Sequence, residues 1–167
     1  MSVIILIGYM GSGKSTLGRK IARKLNYEFL DTDSAIEEKE GLTITAIFEQ
    51  FGEVHFRKLE TNILLSLKGK EKIVIATGGG MPCFNGNMNL LNELGRTFYL
   101  KRSVNELVHR LVNAKRVRPL IAGKSPAELA AFIEQNLEKR NLFYEQAKYI
   151  LERDQQTPEF IETVLKY

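Results

Sequence analysis

"VIILIGYMGSGKST", residues 3–16, decides how this chain folds. Val3-Ile4-Ile5-Leu6-Ile7 is an apolar run of strand length, and Leu17, Ile21 and Leu25 then recur as one face of a helix. Between them, Gly8, Gly13, Lys14 and Ser15 meet the pattern G-x-x-x-x-G-K-[ST]. Glycines let such a loop turn its N–H groups toward phosphate oxygens, and the following helix adds its N-terminal dipole. Lys14 suits the outer phosphates and Ser15 suits Mg²⁺. The strand–loop–helix setting points to a bound nucleotide. It leaves open whether the terminal phosphoryl group goes to water, to a protein or to a small molecule.

Outward from this stretch, short apolar runs alternate with helical patterns. The runs are Val3–Ile7, Phe29-Leu30, Ile73–Ala76, Thr97–Leu100 and Tyr149–Leu151. Helices are expected near 15–25, 34–40, 44–67, 86–94, 103–112, 125–147 and 158–165. The alternation predicts an α/β fold, a parallel sheet with helices on both faces. With 167 residues, 44% hydrophobic and 26% charged, the chain reads as one domain with a full core. Thr43 can cap a helix on which Ile44, Ile47, Phe48 and Phe51 share a face. Ser125-Pro126-Ala127-Glu128 joins a capping box to a proline at the first helical position. Asn113 to Lys124, "NAKRVRPLIAGK", fits neither state; with Lys115, Arg116, Arg118 and Lys124 inside it and Arg110 before it, it reads as a mobile basic loop.

The net charge of +4 suits an anionic ligand. The basic residues are dispersed rather than striped, so nucleic acid is not the expected partner. Cys83 is the single cysteine, which excludes an intramolecular disulfide. The apolar start is too short for a signal peptide, and no run approaches a membrane span. A reducing, cytoplasmic setting is expected.

Several side chains stand out for chemistry. Asp31 and Asp33 follow the second strand two residues apart, so on an extended chain both face one side, toward the ligand crevice at the strands' carboxyl ends. One can hold Mg²⁺ through water and the other can accept a hydroxyl proton, or one simply caps the next helix. Arg57 and Glu60 are helix neighbours, either a surface ion pair or part of a site. Arg140 falls on the inward stripe Ile133, Leu137, Arg140, Tyr144. A buried guanidinium needs an anion, either a structural carboxylate or one on a substrate. Arg118, extended before Pro119, either reaches over the phosphates or belongs to a solvated loop. Gly78-Gly79-Gly80 after a strand suggests close backbone approach to a ligand. No acid ends that strand, which speaks against an ATP-driven motor, and no N-K-x-D guanine signature occurs.

Taken in order, "GSGKST", "DTD", "FRKLE", "TGGG", "RPL" and the arginine of "KRNLFYEQA" resemble shikimate kinase over essentially the whole chain. The resemblance implies a three-layer P-loop fold of the nucleoside monophosphate kinase type, with a five-stranded parallel sheet in order 2-3-1-4-5. It implies transfer of the ATP γ-phosphoryl group to the 3-hydroxyl of shikimate, a step toward chorismate and the aromatic amino acids. Gly11, Ser12, Gly13, Lys14, Ser15 and Thr16 would hold the ATP phosphates. Ser15 would ligate Mg²⁺, with Asp31 near it through water. Asp33 would bind the shikimate hydroxyls and serve as base. Arg57 and Arg140 would hold the shikimate carboxylate, supported by the backbone at Gly79 and Gly80, with Glu60 orienting Arg57. Arg118 would meet the phosphates from a lid at about 112–124, and the helical region at about 33–62 would bind shikimate. Arg110 and the loop near Arg153 to Pro158 would flank adenine. "MPCFNGN" matches no family pattern and receives no role. A monomer binding ATP and shikimate, without nucleic acid or membrane, is the expected state. The competing enzyme readings are a gluconate or a nucleoside monophosphate kinase; outside enzymes, a nucleotide switch or regulatory module remains.

Overall fold

The computed structural model describes residues 3–115 and 118–167. Arg116, one of the basic residues of the expected lid, lies outside them. Strands β1 (Val3–Ile7), β2 (Glu28–Asp31), β3 (Ile73–Ala76), β4 (Arg96–Leu100) and β5 (Tyr149–Leu151) form one parallel sheet in the order β2-β3-β1-β4-β5. Strand β1 is central, and each of its five residues is buried. Its alternate side chains feed two separate cores: Val3, Ile5 and Ile7 on one face, Ile4 and Leu6 on the other. Each such aliphatic side chain removed from water contributes about 1.5–3 kcal/mol, so the strand carrying the phosphate loop is also the sheet's most firmly held element.

Helices α1 (Lys14–Leu25) and α7 (Pro158–Leu165) cover the Ile4/Leu6 face through Leu17, Ile21, Ala22 and Ile161. The opposite face packs against α2 (Thr32–Glu40), α3 (Ile44–Ser66), α4 (Asn87–Leu94), α5 (Val104–Val112) and α6 (Pro126–Tyr144). Helix starts follow the expected caps. Thr43 accepts from the Ala46 N–H at 3.1 Å, and Ser125 with Glu128 forms the reciprocal box. Pro119–Ile121 inside the basic loop forms a single 3-10 turn.

Two expectations are corrected. The helix near 44–67 is kinked at Gly52, which has φ +81° and ψ 174°. Before the kink Ile47 is buried while Phe48 and Phe51 are 36% and 54% exposed; beyond it Phe56 is buried. Second, Asp31 and Asp33 do not lie on one strand. Asp31 ends β2 and caps α2, accepting from the Ser34 N–H at 3.2 Å, whereas Asp33 is already in the first helical turn. Aspartate's readiness to cap a helix turned the chain two residues earlier than strand alternation assumed.

Candidate active site

Strands β1 and β3 end side by side, and Thr77 continues the ladder with its N–H on the Leu6 carbonyl at 3.1 Å. Both following loops therefore rise from the same edge of the sheet. That edge is the crevice in which open parallel sheets bind ligands.

The first loop, residues 8–13, is wound tightly enough that Gly11 and Gly13 take φ +78° and +98°, values that disfavour any side chain. Lys14 is buried, and its ammonium donates to the Gly8 carbonyl at 2.7 Å and the Tyr9 carbonyl at 2.9 Å. Burial, with the Arg118 charge as a second cause, pulls the Lys14 pKa down to about 7. The loop thus keeps a desolvated cation at its centre, an arrangement that an anion relieves. Ser15 donates to Asp31 Oδ2 at 2.6 Å, so a hydroxyl and a carboxylate stand together at the start of α1. Oxygen donors of this kind suit a hard cation, and Mg²⁺ needs only one or two of them beside phosphate and water. No cluster of three or more acidic, histidine or cysteine ligands exists among the described residues.

Two clefts flank this loop. One, of about 540 Å³, is lined by Lys14, Ser15, Thr16, Arg110 and Arg118 among others. The second, of about 400 Å³, continues past Gly13 and Arg110 to Arg102, Gln156 and Pro158. Arg110 therefore sits between them, with Nε donating to the Gly11 carbonyl at 2.6 Å. Arg102 donates to the Ser12 carbonyl at 3.0 Å. Its position two residues beyond β4 is a signal that could have found it, because the crevice runs along the strands' carboxyl ends.

The second loop is the triple glycine, and each of its glycines lies against a different charged group. A Cβ on Gly78 would fall 2.6 Å from Asp33 Oδ1 and 3.2 Å from Glu60 Oε1. One on Gly79 would fall 3.3 Å from Arg140 Nη1, and one on Gly80 would fall 2.6 Å from Arg57 Nη1. The turn is thus a floor on which Asp33, Glu60, Arg57 and Arg140 converge from α2, α3 and α6. Gly79 also touches the phosphate loop: its Cβ would meet the Met10 N–H nitrogen at 3.4 Å. The Gly78 N–H donates to Thr32 at 2.9 Å, and Tyr144 donates to the Gly79 carbonyl at 2.5 Å.

Arg57 donates to Glu60 at 2.8 Å and, through Nη2, to Glu53 at 3.1 Å. The Glu53 contact was legible in principle from its i,i+4 spacing. Glu60 is 1% exposed, and burial pushes its pKa up to about 7 against the pull of Arg57. Asp33 is raised as well, by burial and then by Asp31, with Lys14 and Arg118 opposing. Arg140 lies over the Tyr9 ring at 5.3 Å. Among the described residues no carboxylate forms an ion pair with it. Of the two anions that would satisfy an inward Arg140, the structural carboxylate is therefore not found.

Comparison with known proteins gives concordant results. The sequence model of the shikimate kinase family matches residues 10–167. A shikimate kinase from Azobacteroides pseudotrichonymphae is 50% identical over 151 residues, 90% of this chain and 89% of that protein. The crystal structure of shikimate kinase from Bacteroides thetaiotaomicron superimposes with a TM-score of 0.94 at 43% identity, covering 99% of each chain. A shikimate kinase from Acinetobacter baumannii, solved in complex with shikimate, gives 0.86 at 36% identity over 99% of this chain and 94% of that one.

Proposed function

Because the chain belongs to the shikimate kinase family, it is a phosphotransferase, and we propose that it moves the γ-phosphoryl group of ATP to the 3-hydroxyl of shikimate. The product is shikimate 3-phosphate, on the route to chorismate and the aromatic amino acids. The observation that carries the acceptor's identity is the pair Arg57 and Arg140, set on Gly80 and Gly79 opposite the phosphate loop, with Arg140 lacking a carboxylate partner among the described residues. A hydroxylated acid supplies that carboxylate and presents its hydroxyl near Asp33.

In this reading residues 11–16 hold the phosphates, and Lys14 exchanges the Gly8 and Tyr9 carbonyls for outer phosphate oxygens. The phosphate charge draws the Lys14 pKa back up. Asp33, whose raised pKa improves it as a proton acceptor, takes the proton from the 3-hydroxyl. Arg118 offsets the charge of the migrating phosphoryl group. Ser15, with Asp31 behind it, would hold Mg²⁺, which would supply neutralisation of the phosphate charge. Arg110 and the loop near Pro158 line the adenine side. Closure of a lid at about 112–124 and of the region at about 33–62 excludes water, so that transfer outruns hydrolysis.

Every group named comes from one chain, and a monomer in the cytoplasm carries the whole site. No described helix is long and apolar enough to cross a membrane. An ADP-release assay with shikimate, gluconate and nucleoside monophosphates tests the reading. Shikimate should stimulate release; stimulation by one of the others instead would sink it.

A further inference from the structure

Residues 81–87, the stretch that sequence motifs leave without a role, hold the back of the acceptor clamp. The Phe84 ring lies under the Arg57 guanidinium, with 3.9 Å from the central carbon to the ring centroid. We propose that Phe84 is a positioning residue for the acceptor: its ring face fixes the tilt of the Arg57 plane so that the remaining N–H groups meet the acceptor's carboxylate. The inference rests on Arg57 holding that carboxylate.

The donor count supports it. A guanidinium has five N–H donors. Glu53 Oε1 takes those of Nε at 3.3 Å and Nη2 at 3.1 Å, and Glu60 takes one from Nη1 at 2.8 Å. One N–H remains on each terminal nitrogen, so two donors are left for a carboxylate. Contacts in the plane of the guanidinium fix its rotation within that plane but not its tilt out of it. A ring against the face does. The Arg57 side chain is 11% exposed, so water competes weakly for that face and the cation–π contact is stronger than at an open surface.

The ring is itself anchored to the same helix. Asn85, at φ +52°, donates to the Arg57 carbonyl and to Thr61 Oγ1, each at 3.3 Å. Asn87 is fully buried, accepts from Thr61 at 3.0 Å and donates to the Met81 carbonyl at 3.0 Å. One segment therefore grips α3 at the backbone of Arg57 and places the ring beneath its side chain.

Steady-state kinetics on Phe84→Leu, Phe84→Ala and Phe84→Tyr, beside wild type and Arg57→Ala, tests this. Phe84→Leu keeps apolar bulk and loses the π face; its KM for shikimate should rise roughly five- to tenfold, with the KM for ATP within about twofold. Phe84→Ala should do at least as much, and Phe84→Tyr, which keeps the face, should stay near wild type. A role in folding alone would lower kcat through loss of active protein and leave both KM values in place; that result, or a wild-type shikimate KM in Phe84→Leu, overturns the proposal. If Arg57→Ala also keeps the wild-type shikimate KM, the clamp assignment falls with it. If Arg57→Ala raises that KM and Phe84→Leu does not, only the role of Phe84 falls.

Discussion

The phosphate loop and the triple-glycine turn rise from one sheet edge, and they differ in what they ask of glycine. In the loop, Gly11 and Gly13 are needed for their backbone angles, φ +78° and +98°, as well as for room beside Leu111 and Arg110. In the turn, none of Gly78, Gly79 and Gly80 has a left-handed φ; they are needed for room, because a methyl group on each would run into Asp33, Arg140 or Arg57. The core of the donor half is thus built from consecutive residues and their backbone, with Asp31, Arg110 and Arg118 added around it. The acceptor half is built from side chains of separate helices laid on a bare floor. A local motif can specify the first, and only the tertiary fold assembles the second.

The largest expected effect tests the donor half. Lys14→Ala removes the loop's central cation, and kcat/KM should fall by roughly a thousandfold or more. A modest loss would mean that loop backbone alone carries the phosphates. Next is Asp33, where the two halves meet. Asp33→Asn should lower kcat by roughly 10²–10³. The pKa of Asp33 is raised, so wild-type kcat should be lost as pH falls through a value above aspartate's ordinary one and restored above it. The acidic limb of kcat should shift or shrink in Asp33→Asn, while any limb owed to Glu60 shows in the shikimate KM; an unchanged kcat limb assigns the proton acceptor elsewhere.

A smaller and sharper contrast comes from one methyl group placed in each half. Gly80→Ala should raise the shikimate KM about tenfold by pushing the Arg57 guanidinium away from the Glu53, Glu60 and Phe84 contacts that orient it. Gly11→Ala should raise the ATP KM instead, through its left-handed φ and its 2.9 Å approach to Leu111. Equal shifts in both constants for either variant would break the division between the halves.

The same division governs what could be read from the chain. The strands and most helix limits were accessible because β1 is a continuous apolar run and the caps at Thr43 and Ser125 obey local rules, whereas the strand order came only from the family resemblance. The phosphate loop was accessible for the same reason. The break at Gly52 left no mark in the helical spacing, and that spacing does not say that Phe48 and Phe51 stay exposed. Asp31 and Asp33 were brought to the same crevice as expected, but by a helix cap rather than by strand alternation. The triple glycine signalled close approach, yet what approaches is protein: the groups come from residues 33, 57, 60 and 140. Phe84 gave no signal, since a ring beneath an arginine 27 residues away is a tertiary contact with no periodicity.

The central claim, that acceptor and donor are held by separate halves, is tested most directly at Arg140. Arg140→Ala should raise the KM for shikimate roughly a hundredfold while the KM for ATP stays within about twofold. A rise in the ATP constant with an unchanged shikimate constant would contradict the account.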